Sequence, residues 1–294
     1  MQLFTTAEAA AYLRLKERKI YEMVAEGTVP CTKVTGRWLF PKAELDHWLA
    51  ASVSRPAGLT RAEPAPIVGG SHDPLLEWAL RESGSGLATL AVGSEAGFDR
   101  FTSGETIAAS MHLHALDDPQ ADANVAAMAA RSDMQDAVMI AFCRREQGFL
   151  LAPGNPLKLA SIEDVIAKRA RVCMRPKGAG AQLLLLALLQ RENSSVEKLA
   201  AVSPVCPTGP DIAQAIRAGR ADTGIATRAV ASSAGLDFVS IVWEPFDLVM
   251  RQRDYFRPPL QALVKFLHSD ALTARAKEMS GYDLSVAGNV RFVN

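Results

Sequence analysis

The chain has 294 residues, of which 49% are hydrophobic and 22% charged, and this composition excludes a disordered or fibrous protein. Its 32 basic and 32 acidic residues cancel, so a nucleic-acid or membrane partner can be argued only from a local feature. The longest apolar run, 183–189, is much shorter than the roughly 20 residues that span a bilayer. With no secretory signal and four scattered cysteines, we expect a cytoplasmic protein with reduced thiols and no membrane contact.

One composition break divides the chain. The stretch SVSRPAGLTRAEPAP at 52–66 contains three prolines and a glycine among small polar residues, which is typical of a linker. We therefore predict a small domain over residues 1–52, a linker over 53–65 and a larger domain over 66–294.

The small domain has the pattern of two short helices, a two-stranded wing and a third helix. Thr5 and Glu8 form a capping-box pattern that predicts the first helix start, and Gly27 is placed to end the second helix. The run VPCTKVTGRWLFP predicts two strands that turn at residues 35–36. Pro41 opens the last helix.

These elements carry the motifs EAAxYL, GxVP, GRWxF and LDxWL within residues 3–49. The segment resembles the excisionase-type, or MerR-like, winged helix-turn-helix. The resemblance implies a double-stranded DNA operator as partner, with the second helix in the major groove and the wing beside the backbone. The contacts it implies come from Lys16, Glu17, Arg18, Lys19, Tyr21 and Arg37. Residues 1–55 carry eight basic and six acidic residues, a net charge of only +2, so the charge itself supports DNA binding moderately.

In the larger domain, strand-like and helix-like segments alternate, which predicts parallel sheets built from βαβ units. We expect two sheets in two lobes, joined by long strands that cross near 148 and 243. The first lobe would hold about 66–147 and 243–294, and the second about 148–242. Two C-terminal helices, 258–268 and 271–280, would pack on the first lobe.

Small residues recur where strands pass into helices: Gly69-Gly70-Ser71, Gly93-Ser94, Gly178 with Gly180, and Thr208-Gly209. Ligands of open α/β sheets bind outside the carboxyl ends of the strands, where helix N-termini offer free N–H groups. The junctions therefore indicate a compact anion that is held mainly by neutral donors. Each could also be an ordinary helix cap.

The segments GSHDPLLEWAL, GSEAGFDRFTSGE, REQGFLLAPGNP, ADTGIAT and LDFVSIVWEPFDLV carry a second resemblance, over residues 67–288. They look like the periplasmic-binding-protein-like sensor domain found fused to helix-turn-helix modules, and are similar to the periplasmic molybdate- and tungstate-binding proteins. The resemblance implies a ligand site made by Ser71, Ser94, Gly180, Ala181, Thr208, Gly209 and Thr227. Where the family reads GSGTR this chain reads GAGAQ, so a hydroxyl and an arginine are missing, and Lys177 or Arg175 could compensate.

Other chemistry is poorly supported by the sequence. His112 and His114 could form a metal pair, but a packing or hydrogen-bonding role is favoured and no metal is predicted. No nucleophile and base are paired, so no catalytic residues and no cofactor are predicted. The fold class is α/β: a winged helix-turn-helix plus a two-lobed type II periplasmic-binding-protein-like domain.

The function predicted from the sequence is a one-component transcriptional regulator, expected as a homodimer, whose effector is molybdate or tungstate. The same architecture sensing another small anion, such as a carboxylate or sulfate, is the alternative. A third reading is an enzyme or molybdenum-cofactor handling protein on this fold.

Overall fold

A computed structural model describes residues 2–34, 36–52, 63–114, 122–131, 134 and 136–293. By its internal contacts the chain divides into two compact units. The first consists of Met1–Ala62 with Ala130–Gln135, and the second of Glu63–Ala129 with Asp136–Asn294. None of the helices in these described ranges is long and apolar enough to cross a membrane.

The N-terminal unit has three helices and a three-stranded antiparallel sheet. Its elements are β1 (Leu3–Phe4), α1 (Thr6–Leu13), α2 (Glu17–Ala25), β2 (Thr32–Val34), β3 (Arg37–Pro41) and α3 (Lys42–Ala51). The strand order is β1-β3-β2, with both outer strands antiparallel to β3. Its core is a small apolar cluster made by Ala9, Ala10, Ile20, Val29, Phe40 and Leu45.

Local sequence signals set the ends of these helices as predicted. Thr5 and Glu8 form the capping box, which satisfies backbone N–H groups at the start of α1. Gly27 follows α2 with a φ of +67°, a conformation that glycine adopts without strain. Of the predicted wing turn, Gly36 lies in the described range and has a φ of +82°, whereas residue 35 lies outside it.

The larger unit alternates strands and helices. Its strands are β4 (Ala65–Gly70), β5 (Ala88–Ala91), β6 (Thr106–Met111), β7 (Ala137–Leu151), β8 (Arg171–Cys173), β9 (Ala200–Val202), β10 (Thr223–Thr227), β11 (Asp237–Arg251), β12 (Tyr282–Asp283) and β13 (Val290–Val293). Its helices are α4 (Pro74–Glu82), α5 (Ser94–Ser103), α6 (Ala123–Ala129), α7 (Ile162–Ala167), α8 (Gly180–Arg191), α9 (Gly209–Arg217), α10 (Arg228–Ala234), α11 (Gln252–Tyr255), α12 (Pro258–Phe266) and α13 (Asp270–Met279), with a 3-10 turn at Val196–Lys198.

The prediction of two parallel sheets was wrong, because the strands form one mixed sheet. Its order is β5-β4-β6-β11-β7-β10-β8-β9, with β12 and β13 also paired to β7. The pairs around β4 and those around β8 are parallel, as expected for βαβ units. The two 15-residue strands β7 and β11 are antiparallel to their neighbours.

These two long strands make the fold two-lobed. They pair along almost their whole length, from Asp237↔Leu151 to Arg251↔Ala137, and so run through both ends of the sheet. We call β4–β6 with β12 and β13 the first half of the sheet, and β8–β10 the second half. The expected strand crossings near 148 and 243 lie within β7 and β11.

Helices cover the two halves over separate apolar cores. In the first half, Leu75 and Leu76 of α4 pack in one cluster with Leu260 of α12 and Leu272 of α13, so the C-terminal helices cover the first half as predicted. In the second half, α8 and α9 contribute to two further clusters. Residues near the two ends of the larger unit thus complete the same core.

Two glycines allow close packing at the end of β4. Gly97 lets helix α5 approach β4, and Gly70 lets β4 approach β6. A Cβ at Gly97 would stand 2.2 Å from the Gly70 Cα, and a Cβ at Gly70 would stand 2.1 Å from the Ser110 carbonyl oxygen. This packing brings Ser94, at the N-terminus of α5, against the end of β4.

Gly97→Ala should therefore destabilise the larger unit by about 1–3 kcal/mol, since the contacted atoms are backbone and cannot rotate away. Urea unfolding would measure the change, with Ala96→Ser at an exposed position of the same helix as the control. Equal stability of the two variants would contradict the close packing.

Candidate anion-binding site

The strand ends of both halves converge on one cavity in the larger unit. Its volume is about 20 Å³, roughly the room that one ordered water molecule needs, so it excludes a drug-sized molecule, whose pockets measure roughly 300 Å³ or more. The residues that line it are Ser71, His72, Pro74, His112, Arg145, Gln147, Arg175, Ala181, Gly209, Ile225, Ala226, Thr227 and Val230. Several of them directly follow the carboxyl end of a strand, where open α/β sheets bind ligands.

The residues predicted from the sequence divide into two groups. Ser71, Ala181, Gly209 and Thr227 line the cavity. Three others, Ser94, Gly180 and Thr208, are not among its lining residues. Thr208 instead caps α9 by a reciprocal hydrogen-bonding pattern with Asp211, so its hydroxyl already has a carboxylate partner at 2.6 Å.

Ser94 is fully buried and supports Ser71 instead of facing the cavity. Its hydroxyl donates to the His112 carbonyl oxygen at 2.9 Å and accepts from the His112 N–H at 3.2 Å. The Ser71 hydroxyl oxygen lies 2.7 Å from the Ser94 hydroxyl oxygen. Ser94 therefore ties the end of β4 to the residue that follows β6.

Close packing accounts for the two glycines of GAGAQ at 178–182. A Cβ at Gly180 would stand 2.2 Å from the His112 carbonyl oxygen, and a Cβ at Gly178 would stand 2.3 Å from the Glu95 carboxylate. The Glu95 N–H also donates to the Gly178 carbonyl oxygen at 3.3 Å. The start of α8, in the second half, is thus held directly against the first half beside the cavity.

A buried charge cluster forms one wall of the cavity. The Arg145 guanidinium, 1% exposed, donates to Asp73 and to Glu244, both at 2.8 Å, and stacks 3.9 Å from the centre of the Phe246 ring. Burial opposes its charge, but the two carboxylates outweigh that effect and raise the pKa of Arg145. Asp73 also caps α4 through the N–H groups of Leu75 and Leu76.

Glu244 is saturated by donors on two segments, strand β7 and the residues after β6. Arg145 and Gln147 donate to one carboxylate oxygen at 2.8 and 3.1 Å, and His114 lies 2.7 Å from the other. Burial alone would raise the pKa of Glu244, but the surrounding positive charges and donors hold it well below its usual value. Because Arg145 supplies a permanent positive charge there, we regard Glu244 as ionised beside a neutral His112.

His112, His114 and Glu244 also lie close enough together to hold a metal ion, since one ligand atom from each lies within 4.8 Å of the other two. However, the Arg145 guanidinium already binds Glu244, and a divalent cation would face that positive charge at close range. The arrangement is better explained as a hydrogen-bonded cluster that orients the cavity wall.

Arg175 differs from Arg145 because it has no salt bridge within the described ranges. Its backbone N–H donates to the Gln182 side-chain oxygen at 2.9 Å, which fixes the segment after β8. Its buried Nε has no hydrogen-bond partner, and burial lowers the pKa of Arg175 to about 10. It remains cationic at neutral pH, and the Asp211 carboxylate offsets that charge only in part, without forming an ion pair with it.

Sequence reasoning missed Arg145, Gln147 and Glu244. The available signal was RREQ at 144–147, charged and polar letters inside an otherwise apolar strand. A buried charge in a strand needs a partner, but the sequence does not show that the partner is almost 100 residues away.

The residues predicted to contact DNA lie on the surface of the N-terminal unit. Lys16, Glu17, Arg18, Lys19, Tyr21 and Arg37 are all exposed. The Arg18 side chain is 91% exposed and Tyr21 is 51% exposed. This face of the second helix is therefore accessible to a partner. Glu22 pairs with Arg18 and Lys19 only at the surface.

Comparison with known proteins identifies both parts of the chain. Residues 77–268 match the PBP superfamily domain, and residues 3–52 match a helix-turn-helix domain. The chain belongs to the PBP superfamily. Its N-terminal part is an excisionase-like helix-turn-helix, so the chain combines a DNA-binding type of domain with a ligand-binding type of domain.

This PBP superfamily chain is similar to YvgK, an uncharacterized protein of Bacillus subtilis strain 168, with 22% identity over 98% of this chain and 97% of that protein. Among solved structures it is similar to a Clostridium perfringens protein described as a phosphate ABC transporter substrate-binding protein with bound phosphate. That likeness has 13% identity, a TM-score of 0.53, and coverage of 74% and 99% of the two chains, and it shows the fold. A tungstate ABC transporter structure from Geobacter sulfurreducens has a TM-score of 0.49 at 11% identity over 73% and 99% of the chains, from which no ligand follows.

The burial of His112 predicts a pH dependence of stability. Burial lowers the pKa of His112 from 6.5 to about 4, the Glu244 carboxylate opposes this, and Arg145 adds to it. Between those pH values the unfolded chain binds more protons, so folding loses stability as the pH falls, by up to about 3 kcal/mol. In His112→Asn this loss is absent, and the stability difference from wild type should shrink from pH 7 to pH 4.5.

Urea unfolding of both proteins across this range tests the prediction. Burial also raises the pKa of Asp247 to about 6, which has the opposite pH effect, but it does so in both proteins and cancels in the difference. A wild-type His112 imidazole that titrates near pH 6.5 by NMR would contradict the account.

Proposed function

We propose that the protein is a one-component transcriptional regulator that binds an operator through residues 3–52 and senses a small oxyanion in the cleft of its larger domain. The observation that carries the proposal is the cavity between the sheet halves, where Arg175 has no salt bridge within the described ranges and two helices begin. A DNA operator as partner requires a cytoplasmic location.

The ligand class follows from charge and from the donors at the cavity. The 12-residue helix α8 and the nine-residue helix α9 start at the cavity. The first residues of α8 carry backbone N–H groups without helical or capping partners, whereas in α9 Pro210 has no N–H and the Thr208 side chain caps the Asp211 N–H, which leaves the Gly209 N–H. Helix N-termini and an unpaired guanidinium both favour negative charge. The resemblance puts molybdate or tungstate first, and Arg175 supports a second candidate, another small anion such as sulfate, phosphate or a carboxylate.

Control of DNA binding would come from the two halves of the sheet. An anion that contacts residues of both halves stabilises their close approach around Gly180, and its binding energy shifts the population toward that closed state. In a homodimer, this shift would change the spacing of two helix-turn-helix heads and their fit to paired half-sites.

An enzyme on this fold is the less favoured reading. In the described part of the larger unit, the buried titratable groups at the cavity hold one another: Arg145 binds Asp73 and Glu244, and Glu244 binds His114. Such mutual saturation leaves none of these groups placed as a free general base.

Arg175→Gln should weaken binding of the anion by at least about tenfold, because hydrogen bonds to charged groups contribute the most to such sites. Isothermal titration calorimetry of the full chain with molybdate, tungstate, sulfate and phosphate measures this. Arg171→Gln is the matched control, since Arg171 pairs with Asp222 at the surface and does not line the cavity. Absence of binding by all four ions to wild type would contradict an oxyanion sensor.

Arg18→Ala combined with Lys19→Ala should weaken binding to duplex DNA by about tenfold or more. It should also reduce the slope of log affinity against log salt concentration by the equivalent of up to about two phosphate contacts. Fluorescence anisotropy on a duplex selected from a random library gives both quantities. The control with the same charge change is Arg191→Ala with Lys198→Ala, two exposed residues of the larger unit. If the two double variants bind equally, the helix-turn-helix serves another partner, such as a protein.

A further inference from the structure

The geometry points to a ligand that carries a hydrogen-bond donor, an O–H on the same small molecule as its anionic oxygens. This inference rests on the proposed oxyanion-binding function and narrows its ligand class. Its basis is that the cavity wall presents hydrogen-bond acceptors as well as donors.

The side-chain oxygen of Gln147 is the first acceptor. Its amide nitrogen donates to the Glu244 carboxylate at 3.1 Å, and because an ionised carboxylate only accepts, the amide cannot be turned the other way round. The Gln147 oxygen is buried and has no hydrogen-bond partner. Buried polar groups are normally satisfied, so this oxygen calls for a donor that the rest of the described protein does not provide.

The Ser71 hydroxyl is the second acceptor. Ser94 has a single hydroxyl proton and gives it to the His112 carbonyl oxygen, which can only accept. The 2.7 Å contact between the two serine oxygens must then use the proton of Ser71. The Ser71 oxygen therefore turns its lone pairs, not its proton, toward the cavity that it lines.

Donors stand on the same cavity. The Arg175 Nε is buried without a partner, and so is the Thr227 hydroxyl oxygen, at the end of β10. Altogether three of the lining residues, Gln147, Arg175 and Thr227, each hold a buried side-chain atom without a hydrogen-bond partner, whereas the His112 Nδ1 lies 2.8 Å from the Glu244 carboxylate.

Acceptors beside donors distinguish among oxyanions of similar size. Fully ionised molybdate, tungstate and sulfate have only acceptor oxygens, so they would leave Gln147 unsatisfied and force Ser71 to break its bond to Ser94. Hydrogen phosphate offers an O–H together with anionic oxygens, and so does a small hydroxycarboxylate. A site built to bind a ligand hydroxyl rejects the analogue that lacks it, since its own buried groups then stay unpaired.

The test uses two matched pairs of probes: phosphate with sulfate, and glycolate with acetate. Within each pair the first member carries the O–H and the second lacks it. Calorimetry on the full chain should show the hydroxyl-bearing member of at least one pair binding about tenfold or more tighter than its partner. Which pair shows this preference distinguishes an inorganic from an organic ligand.

Variants locate the preference. Gln147→Met keeps the length of the side chain but removes the acceptor, so the preference should fall to within about threefold of equality. Ser71→Ala should reduce the preference as well. Thr106→Val, which removes a buried unpartnered hydroxyl away from the cavity, is the control and should leave the preference intact.

The outcomes separate this inference from the function on which it rests. Equal affinities within both pairs, or tight binding of molybdate or sulfate without phosphate, would overturn the donor inference and leave an oxyanion sensor in place. A preference that Gln147→Met does not change would also overturn it. Absence of binding by every ion, molybdate and tungstate included, would contradict the proposed function itself.

Discussion

The arrangement of the larger unit depends on one buried cation between two buried carboxylates. Arg145 lies on β7, Glu244 on the neighbouring β11, and Asp73 at the start of α4. The three side chains therefore tie the two long strands to α4. A charge removed from water is tolerated only when it is paired and hydrogen-bonded, so none of the three can be lost singly without leaving an uncompensated charge. Tyr282, which also donates to Asp73, adds the C-terminal segment to the same cluster.

Because Arg145 is neutralised by protein carboxylates, the charge available to a ligand comes from Arg175 in the second half of the sheet. The cluster in turn orients Gln147 and sets its amide oxygen as an acceptor. Close backbone packing at Gly180 brings the second half against His112, so that groups from both halves can reach one small ligand. In the proposed sensor, binding of the ligand and closure of the cleft would therefore be coupled.

Much of this architecture could be predicted from local sequence. The capping box at Thr5 and the placement of Ser71 and Gly209 follow from short-range rules about helix ends and strand ends, whereas Thr227 follows only from the family resemblance. The mixed sheet could not be predicted, because β7 and β11 pair over about 100 residues of separation and alternation of strands and helices alone favours parallel order. Nor could the direction of the Ser71 proton, which depends on a chain of contacts through Ser94 to a distant carbonyl.

The most direct test of the account is a crystal structure of the full chain grown with the tightest-binding oxyanion from calorimetry. The account predicts one ion in the cavity between the two halves, within hydrogen-bond distance of the Arg175 guanidinium and of an N–H at the start of α8 or α9. The Gln147 oxygen should lie within the same distance of a ligand oxygen. An ion bound elsewhere, or a cavity from which Arg175 has turned away to a protein carboxylate, would contradict it.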